Sequence, residues 1–184
     1  MSSPARPIPM TIREYRLLPE DGRRWELVDG EFVMTPAPST KHQRVSRKLQ
    51  YELMTQLERT GLAEVINAPI DVVFDDVNVV QPDLVIVASA RTSIITERAV
   101  EGPPDVLVEI LSPTSVDRDR HLKRRLYAHF GVREYWIVDP LRGFLEAYRL
   151  AEQDYGLRDR YDRAATLRSP DFSTLEVPLL GVFA

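Results

Sequence analysis

The sequence of 184 residues contains no cysteine, and its only lysines are Lys41, Lys48 and Lys123. The lack of cysteine excludes disulfide bonds and thiolate metal sites, and it agrees with a cytoplasmic protein. No run of about 18 apolar residues is present, so we expect no transmembrane helix. The first residues lack the apolar stretch of a secretory signal. The three histidines do not have the spacing of a zinc site.

The charge of the chain is slightly negative, with a formal net charge of -4 at pH 7. This total argues against broad electrostatic binding to nucleic acid, but it is compatible with a local basic groove. Nearly all of the basic residues are arginine, so Lys123 stands out. A position that required only a cation would normally carry arginine in this sequence.

The length predicts one domain over residues 1–184, in which the proline-rich residues 1–10 are expected to be flexible. Residues 24–34 have the pattern of a hairpin around an Asp29-Gly30 turn. Apolar residues recur every four positions from residue 40 to residue 60, which predicts an amphipathic helix. Further along, the patterns predict strands at 63–68, 69–74, 79–88, 105–111 and 134–139, a helix at 117–130, and a hairpin at 144–161 around Gly156.

This order of elements predicts an α/β fold, with a mixed central sheet flanked by helices, an N-terminal hairpin and a C-terminal hairpin. A helical turn is expected at residues 96–101. The apolar C-terminal residues 178–183 are expected to pack on the body of the protein.

Two carboxylates lie in segments that otherwise have the composition of buried strands, Asp83 in residues 79–88 and Glu109 in residues 105–111. Burying an ionised carboxylate is costly unless it is paired or binds a cation. Strand alternation places Glu109 on one face with Leu107 and Leu111. Each carboxylate also has a structural interpretation: Asp83 could face solvent or pair with an arginine, and Glu109 could pair with a buried arginine.

Lys123 lies on the predicted helix that follows these strands. Its neighbours Arg120, Arg124 and Arg125 favour a solvated basic face when they are considered alone. Beside two carboxylates, however, a lysine can orient an attacking water or stabilise charge on a phosphate. Two carboxylates can also hold Mg²⁺ or Mn²⁺, which polarises a phosphate and lowers the pKa of a bound water. The set of residues therefore indicates metal-assisted phosphodiester hydrolysis.

Four motifs occur in order, at residues 25–31, 81–87, 108–115 and 123–140. The last contains the pattern Lys-x-x-x-Tyr-x-x-x-Gly-Val-x-Glu-Tyr-Trp-Ile-Val-Asp-Pro. Together they resemble the Uma-two family of putative restriction endonucleases, within the PD-(D/E)XK nuclease superfamily. The resemblance extends from about residue 11 to the C-terminus, and it implies a restriction-endonuclease-like core.

The resemblance also implies roles for particular residues. Asp83 and Glu109 correspond to the two carboxylates that bind the metal. The superfamily's lysine is expected two residues after Glu109, but Leu111 stands there, and Lys123 on the following helix is the matching position. Glu26 corresponds to an early glutamate near the metal, although it could equally be a cross-strand partner in its hairpin.

Weaker indications concern nucleic-acid binding by His42, Arg44 and Gln81. His42 lies at the basic start of the first long helix and could reach a phosphate. A basic strip on this helix could contact a nucleic-acid backbone, and it consists of Lys41, Arg44, Arg47 and Lys48. Solvated helix and strand ends explain the same residues. Packing against the sheet explains Tyr127, which lies one turn beyond Lys123.

The sequence thus predicts a Mg²⁺- or Mn²⁺-dependent nuclease with DNA as its substrate, by analogy, and a 5′-phosphate product. Because cutting two strands requires two sites, we expect a homodimer or a higher homo-oligomer. Two alternatives remain open: a non-cleaving nucleic-acid-binding or protein-interaction module on the same fold, and a hydrolase of another phosphoester. In a binding module, Lys123 could turn away from the carboxylates or Asp83 could pair with an arginine.

Overall fold

The computed structural model of the protein describes residues 8–19, 21–113 and 115–184, so part of the N-terminal segment expected to be flexible, residues 1–7, lies outside the described residues. The helices are α1 (Ile12–Tyr15), α2 (Thr40–Leu53), α3 (Arg124–His129) and α4 (Leu179–Phe183). A π-helical turn (Met54–Glu58) extends α2, and another (Arg118–Lys123) leads into α3. In the part of the chain described, no helix is long and apolar enough to cross a membrane.

The strands follow in chain order and connect these helices. They are β1 (Arg24–Val28), β2 (Glu31–Thr35), β3 (Ala63–Asn67), β4 (Asp71–Asp75), β5 (Asn78–Val80), β6 (Leu84–Ala88), β7 (Ala99–Glu101), β8 (Val106–Ile110), β9 (Glu134–Asp139), β10 (Phe144–Ala151), β11 (Asp154–Asp162), β12 (Thr166–Leu167) and β13 (Val177–Pro178). The hairpin predicted at residues 24–34 is confirmed as β1 and β2, and the strand predicted at 134–139 is confirmed as β9.

The described strands form two large mixed sheets, in place of the one central sheet that the sequence predicts. The first has the order β2-β1-β5-β4-β7, and the second has the order β11-β10-β9-β8-β6-β3. Each contains one parallel pair, β4 with β7 and β8 with β9. The predicted mixed α/β fold class is confirmed, with its strands divided between two sheets.

The strand predicted at residues 79–88 is divided at Pro82. Its first part is β5 in the first sheet, and its second part is β6 in the second sheet. Proline has no N–H to donate to a sheet ladder, so it ends the pairing at this point. The chain therefore passes from one sheet to the other at Pro82, and Asp83 lies immediately before β6.

The two faces of the second sheet carry separate apolar cores. On one face, Val108 and Ile110 of β8 pack with the buried apolar positions of α2, which are Val45, Leu49 and Leu53. On the other face, Leu107 and Leu111 pack with side chains of α3 and of the first sheet. The predicted alternation of β8 and the predicted apolar stripe of α2 are both confirmed.

Three other segments can be compared with the sequence. The turn of the C-terminal hairpin lies between β10 and β11, so Gly156, predicted as the turn, is inside β11 opposite Arg149. The helical turn predicted at residues 96–101 is found at Ser89–Ile94, and Ala99–Glu101 is strand β7. The C-terminal residues do pack on the body, since Leu179 and Val182 are buried.

Candidate active site

The pairing of β6 with β8 brings Asp83 and Glu109 together. Leu84 pairs with Val108 in the antiparallel register, so the next position places Asp83 beside Glu109. A hydrogen bond of 3.1 Å from the Asp83 N–H to the Val108 carbonyl continues the ladder by one residue. Both residues are buried, with 8% of the surface of Asp83 and 4% of the surface of Glu109 exposed to solvent.

The carboxylate of Asp83 is fixed through one of its two oxygens. Oδ2 accepts a hydrogen bond of 2.8 Å from the Ile110 N–H and lies 3.1 Å from Nε2 of His42. His42 lies in the first turn of α2, where its N–H donates to the side chain of the N-cap residue Ser39. The cap of α2 thus places a histidine against the candidate metal ligand. The Nδ1 atom of His42 is buried and has no hydrogen-bond partner in the described part of the chain.

Lys123 lies at the centre of a carboxylate cluster. Its Nζ is 2.7 Å from Oε1 of Glu26, 2.8 Å from Oε1 of Glu109 and 4.0 Å from Oδ1 of Asp119. The hydroxyl of Tyr127 donates a 2.6 Å hydrogen bond to the same oxygen of Glu109. Lys123 therefore turns toward the carboxylates, which is the orientation that the sequence analysis expects for an enzyme. Its side chain is almost fully buried, with 2% exposed.

Glu26 enters this cluster from the first sheet. It lies on β1, is fully buried, and accepts a 2.9 Å hydrogen bond from the Gln81 N–H. Its alternative role as a cross-strand partner in the hairpin accounts for one contact, a hydrogen bond of 3.4 Å from the hydroxyl of Thr35 on β2 to Oε2, while Oε1 pairs with Lys123 of the π-helical turn.

The surplus of negative charge alters the protonation of the site. Burial, together with the charges of Asp119, Asp83 and Glu26, raises the pKa of Glu109 to about 8, against the opposing effect of Lys123. One positive charge from lysine is thus insufficient to keep every carboxylate in the cluster ionised at neutral pH.

The pKa values of the other cluster members follow from the balance between burial and neighbouring charges. Burial acts against ionised Glu26, but the Lys123 ammonium and the Gln81 N–H outweigh it and lower the pKa of Glu26. Burial also acts against protonated Lys123, but Glu109, Glu26 and Asp119 raise its pKa above the ordinary value. Burial raises the pKa of Asp119. The uncompensated charge therefore falls on Glu109 and Asp119.

The donors at this site fit a magnesium ion better than a metal held entirely by protein. In the described residues, no group of three or more His, Asp or Glu side chains is arranged to hold a metal. Mg²⁺ does not need such a group, because it usually keeps several waters and binds one or two carboxylates together with substrate phosphate. Asp83 and Glu109 supply two carboxylates from adjacent segments of the sheet, in a cluster where burial raises the pKa of Glu109 despite the ammonium of Lys123.

A small cavity and a larger groove meet at Asp83 and His42. The cavity of about 30 Å³ is lined by Arg24, Asp83, Glu109, Arg118, Asp119 and Lys123, among others. This volume has room for a water or an ion, since one water needs about 10–15 Å³. The groove of about 420 Å³ runs along the polar face of α2, where Gln43, Arg44, Arg47, Gln50 and Asn67 line it.

The residues predicted to bind nucleic acid have three different environments. Arg44 is exposed and lines the groove. His42 is buried against Asp83 and lines both the groove and the cavity. Gln81 lines the cavity, and its side-chain amide donates a hydrogen bond of 2.9 Å to Asp71 Oδ1 and accepts one of 3.3 Å from Arg24 Nε.

Sequence reasoning did not include Asp119 and Arg118 in the site, and it explained Tyr127 by packing. Asp119, Lys123 and Tyr127 follow one another at four-residue intervals, and that spacing was the available signal. The π-helical turn Arg118–Lys123 had no signal in the sequence, although such turns often occur at functional sites.

Comparisons with known proteins identify a family and a similar fold. A family model described as "Uma2: Putative restriction endonuclease" matches residues 12–180. Among solved structures, the fold is similar to a putative nuclease belonging to DUF820 from Anabaena variabilis, with a TM-score of 0.78 and 21% identity. That match covers 95% of this chain and 98% of the other. No curated protein matched the sequence.

Proposed function

This chain belongs to the Uma2 family of putative restriction endonucleases, and we propose that it is a metal-dependent nuclease that hydrolyses phosphodiester bonds of DNA. The observation that carries the proposal is the convergence of Asp83, Glu109 and Lys123 on one cavity, with Nζ of Lys123 at 2.8 Å from Glu109. Phosphodiester hydrolysis needs this combination of a cation site and a positioned ammonium group.

The same geometry favours an enzyme over a binding module. Lys123 points into the cluster and lies 2.8 Å from Glu109, whereas a module without catalysis has no need to bury a lysine there. Asp83 contacts His42 and a backbone N–H, and its described ion pairs do not include an arginine. Keeping several buried carboxylates unmatched costs stability, and a functional requirement for a cation explains that cost.

In the proposed mechanism, Asp83 and Glu109 would hold Mg²⁺ or Mn²⁺. The bound metal would polarise the phosphate and lower the pKa of a bound water. Glu26 anchors the ammonium of Lys123 and thereby directs it toward Glu109 and the cavity. Lys123 then orients the attacking water and stabilises the negative charge that grows on the phosphate. His42 orients the carboxylate of Asp83 through Oδ2.

The groove along α2 offers a path for the nucleic acid. Arg44 and Arg47 line it and supply positive charge beside Asp83, in a chain whose net charge is -4. Phosphate contacts by arginine position a backbone without reading its sequence. The proposal further comprises one nuclease domain, a 5′-phosphate product, a cytoplasmic location and a homodimer or higher homo-oligomer that cuts both strands.

Cleavage of supercoiled plasmid DNA tests this function. The wild-type protein is incubated with Mg²⁺, with Mn²⁺ or with EDTA, beside the variants Asp83→Ala, Glu109→Ala and Lys123→Ala. We expect metal-dependent nicking that falls by roughly 1,000-fold in each variant, as for the loss of a residue that acts in the transition state.

Arg125→Ala is the matched control, because Arg125 is exposed on α3 and does not line the carboxylate cavity. Its nicking rate should equal that of the wild type. Equal trace activity in the wild type and all three site variants would indicate contamination and would refute the nuclease proposal. Activity on a synthetic phosphodiester without activity on DNA would instead favour a hydrolase of another phosphoester.

A further inference from the structure

Arg118 places a guanidinium group in the wall of the carboxylate cavity. Its side chain is 15% exposed, and its Nε is buried with no hydrogen-bond partner among the described residues. Its charged neighbour is Asp119 Oδ1, at 3.8 Å from Nε. That distance is longer than a hydrogen bond, so this ion pair leaves a buried donor unsatisfied.

The other cations that line the cavity are already engaged. Lys123 is held between Glu26 and Glu109. Arg24 donates to the Gln81 carbonyl at 2.9 Å and to the Gln81 side chain at 3.3 Å. Arg118 is thus the cationic side chain in this wall whose hydrogen-bonding capacity is unused in the described structure.

An unsatisfied buried donor costs free energy, so its presence in a fold needs a reason. Arg118 is the first residue of the π-helical turn, in which Asp119 and Lys123 also lie. The same turn therefore positions the lysine against the carboxylates and the arginine beside them. Guanidinium groups suit phosphate oxygens because their N–H donors form paired, charge-assisted hydrogen bonds.

We propose that Arg118 binds a non-bridging oxygen of the substrate's phosphate at the mouth of the carboxylate cavity. The inference rests on the proposed nuclease function, and it divides the work between two cations. Lys123 serves the water and the carboxylates, while Arg118 serves the phosphate.

The test compares Arg118→Gln and Arg118→Lys with Arg125→Gln, which removes the same charge from an exposed position on the adjoining helix. Binding of thymidine 5′-monophosphate in the presence of Mn²⁺ is measured by calorimetry, and binding of Mn²⁺ alone is measured by electron paramagnetic resonance. We expect Arg118→Gln to weaken nucleotide binding by roughly 10- to 100-fold, the loss of one charge-assisted hydrogen bond. Mn²⁺ affinity should stay within about threefold of the wild type, and Arg118→Lys should recover part of the nucleotide affinity.

Equal nucleotide affinity in Arg118→Gln and Arg125→Gln would overturn the inference. A parallel loss of Mn²⁺ affinity in Arg118→Gln would overturn it as well, because Arg118 would then support the carboxylates rather than the phosphate. The nuclease proposal fails separately: a wild-type protein that cleaves no DNA, yet binds the nucleotide in an Arg118-dependent manner, would refute cleavage and support phosphate binding by Arg118.

Discussion

Two groups of buried charge lie at opposite ends of strand β8, and they differ in how their charges are matched. The carboxylate-rich cluster, near the end of β8, combines four carboxylates with two permanent cations, and its members are Glu26, Asp83, Glu109, Asp119, Arg118 and Lys123. The matched cluster, before the start of β8, combines three carboxylates with three arginines. Its members are Asp105, Glu134, Asp171, Arg91, Arg133 and Arg149.

In the matched cluster, arginine and backbone groups satisfy the central carboxylate. Asp105 is fully buried. Its carboxylate accepts hydrogen bonds of 2.8 Å from the Ala88 N–H and 3.0 Å from Arg91, and it also pairs with Arg133. Burial would raise the pKa of Asp105, but these three partners outweigh it and lower the pKa. Asp105 therefore remains ionised and supports the fold.

The carboxylate-rich cluster shows the opposite result, since the pKa of Glu109 is raised to about 8. Both clusters bury carboxylates at β8, so burial alone does not distinguish a structural cluster from a candidate catalytic one. The balance of charge does distinguish them: the matched cluster pairs three carboxylates with three arginines, whereas the other cluster has an excess of carboxylates that a proton or a bound cation would offset.

Among the tests of the difference between the two clusters, the largest expected effect is a pH dependence of stability in the metal-free protein. The pKa of Glu109 is about 8 in the folded protein against an ordinary value of 4.5. Between those values the folded state holds a proton that the unfolded state has released, so stability falls as pH rises from about 5 to 8. The slope from one such group is at most about 1.4 kcal/mol per pH unit. Urea unfolding of the wild type and of Glu109→Gln at several pH values measures it.

Glu109→Gln should remove most of this slope, because the amide does not titrate. Burial also raises the pKa of Glu134 in the matched cluster, despite hydrogen bonds from Ser169 and the Trp136 indole. Glu134 therefore contributes to the pH dependence that remains in Glu109→Gln. An equal slope in the wild type and in Glu109→Gln would contradict the assignment of the excess charge to Glu109.

A smaller effect is expected when one carboxylate in each cluster is neutralised. Asp105→Asn leaves Arg91 and Arg133 without their shared partner, and it should cost about 2 kcal/mol of unfolding free energy. The two arginines are partly exposed, which keeps this value below that of a fully buried pair. Asp119→Asn removes a charge from a cluster with excess negative charge, so its stability should stay within about 0.5 kcal/mol of the wild type.

Urea unfolding at pH 7.5, without divalent metal, measures both variants. A loss of stability in Asp119→Asn as large as that in Asp105→Asn would show that the carboxylate-rich cluster is matched after all.

The smallest expected effect concerns His42. Its imidazole contacts Asp83, whereas the carboxylates of the matched cluster pair with arginines. His42→Ala removes one hydrogen bond that orients the carboxylate, a contribution of about 1 kcal/mol. The rate of plasmid nicking should fall about fivefold, with a similar loss of Mn²⁺ affinity. His129→Ala is the control, because His129 is exposed on α3, and it should leave both values unchanged. An unchanged rate in His42→Ala would assign His42 to packing alone.

Much of the fold could be predicted from local patterns. The Asp29-Gly30 turn identified the hairpin β1–β2, four-residue apolar spacing identified α2, and strand alternation placed Glu109 on the face of Leu107 and Leu111. Each of these patterns follows from contacts that repeat along one short segment. Gly156 was misread as a turn because a glycine inside a strand has the same local appearance as one between strands.

By itself, the sequence determined the family and the mixed α/β class, and it selected Asp83, Glu109 and Lys123 as candidate site residues. Only the tertiary structure decided that β5 and β6 belong to different sheets, that Lys123 bridges Glu26 and Glu109, and that Arg118 and Asp119 share their cavity. The physical reason is that charge balance depends on distance in space. Residues from β1, β8 and the turn before α3 meet only after the two sheets have packed, and no local pattern records that meeting.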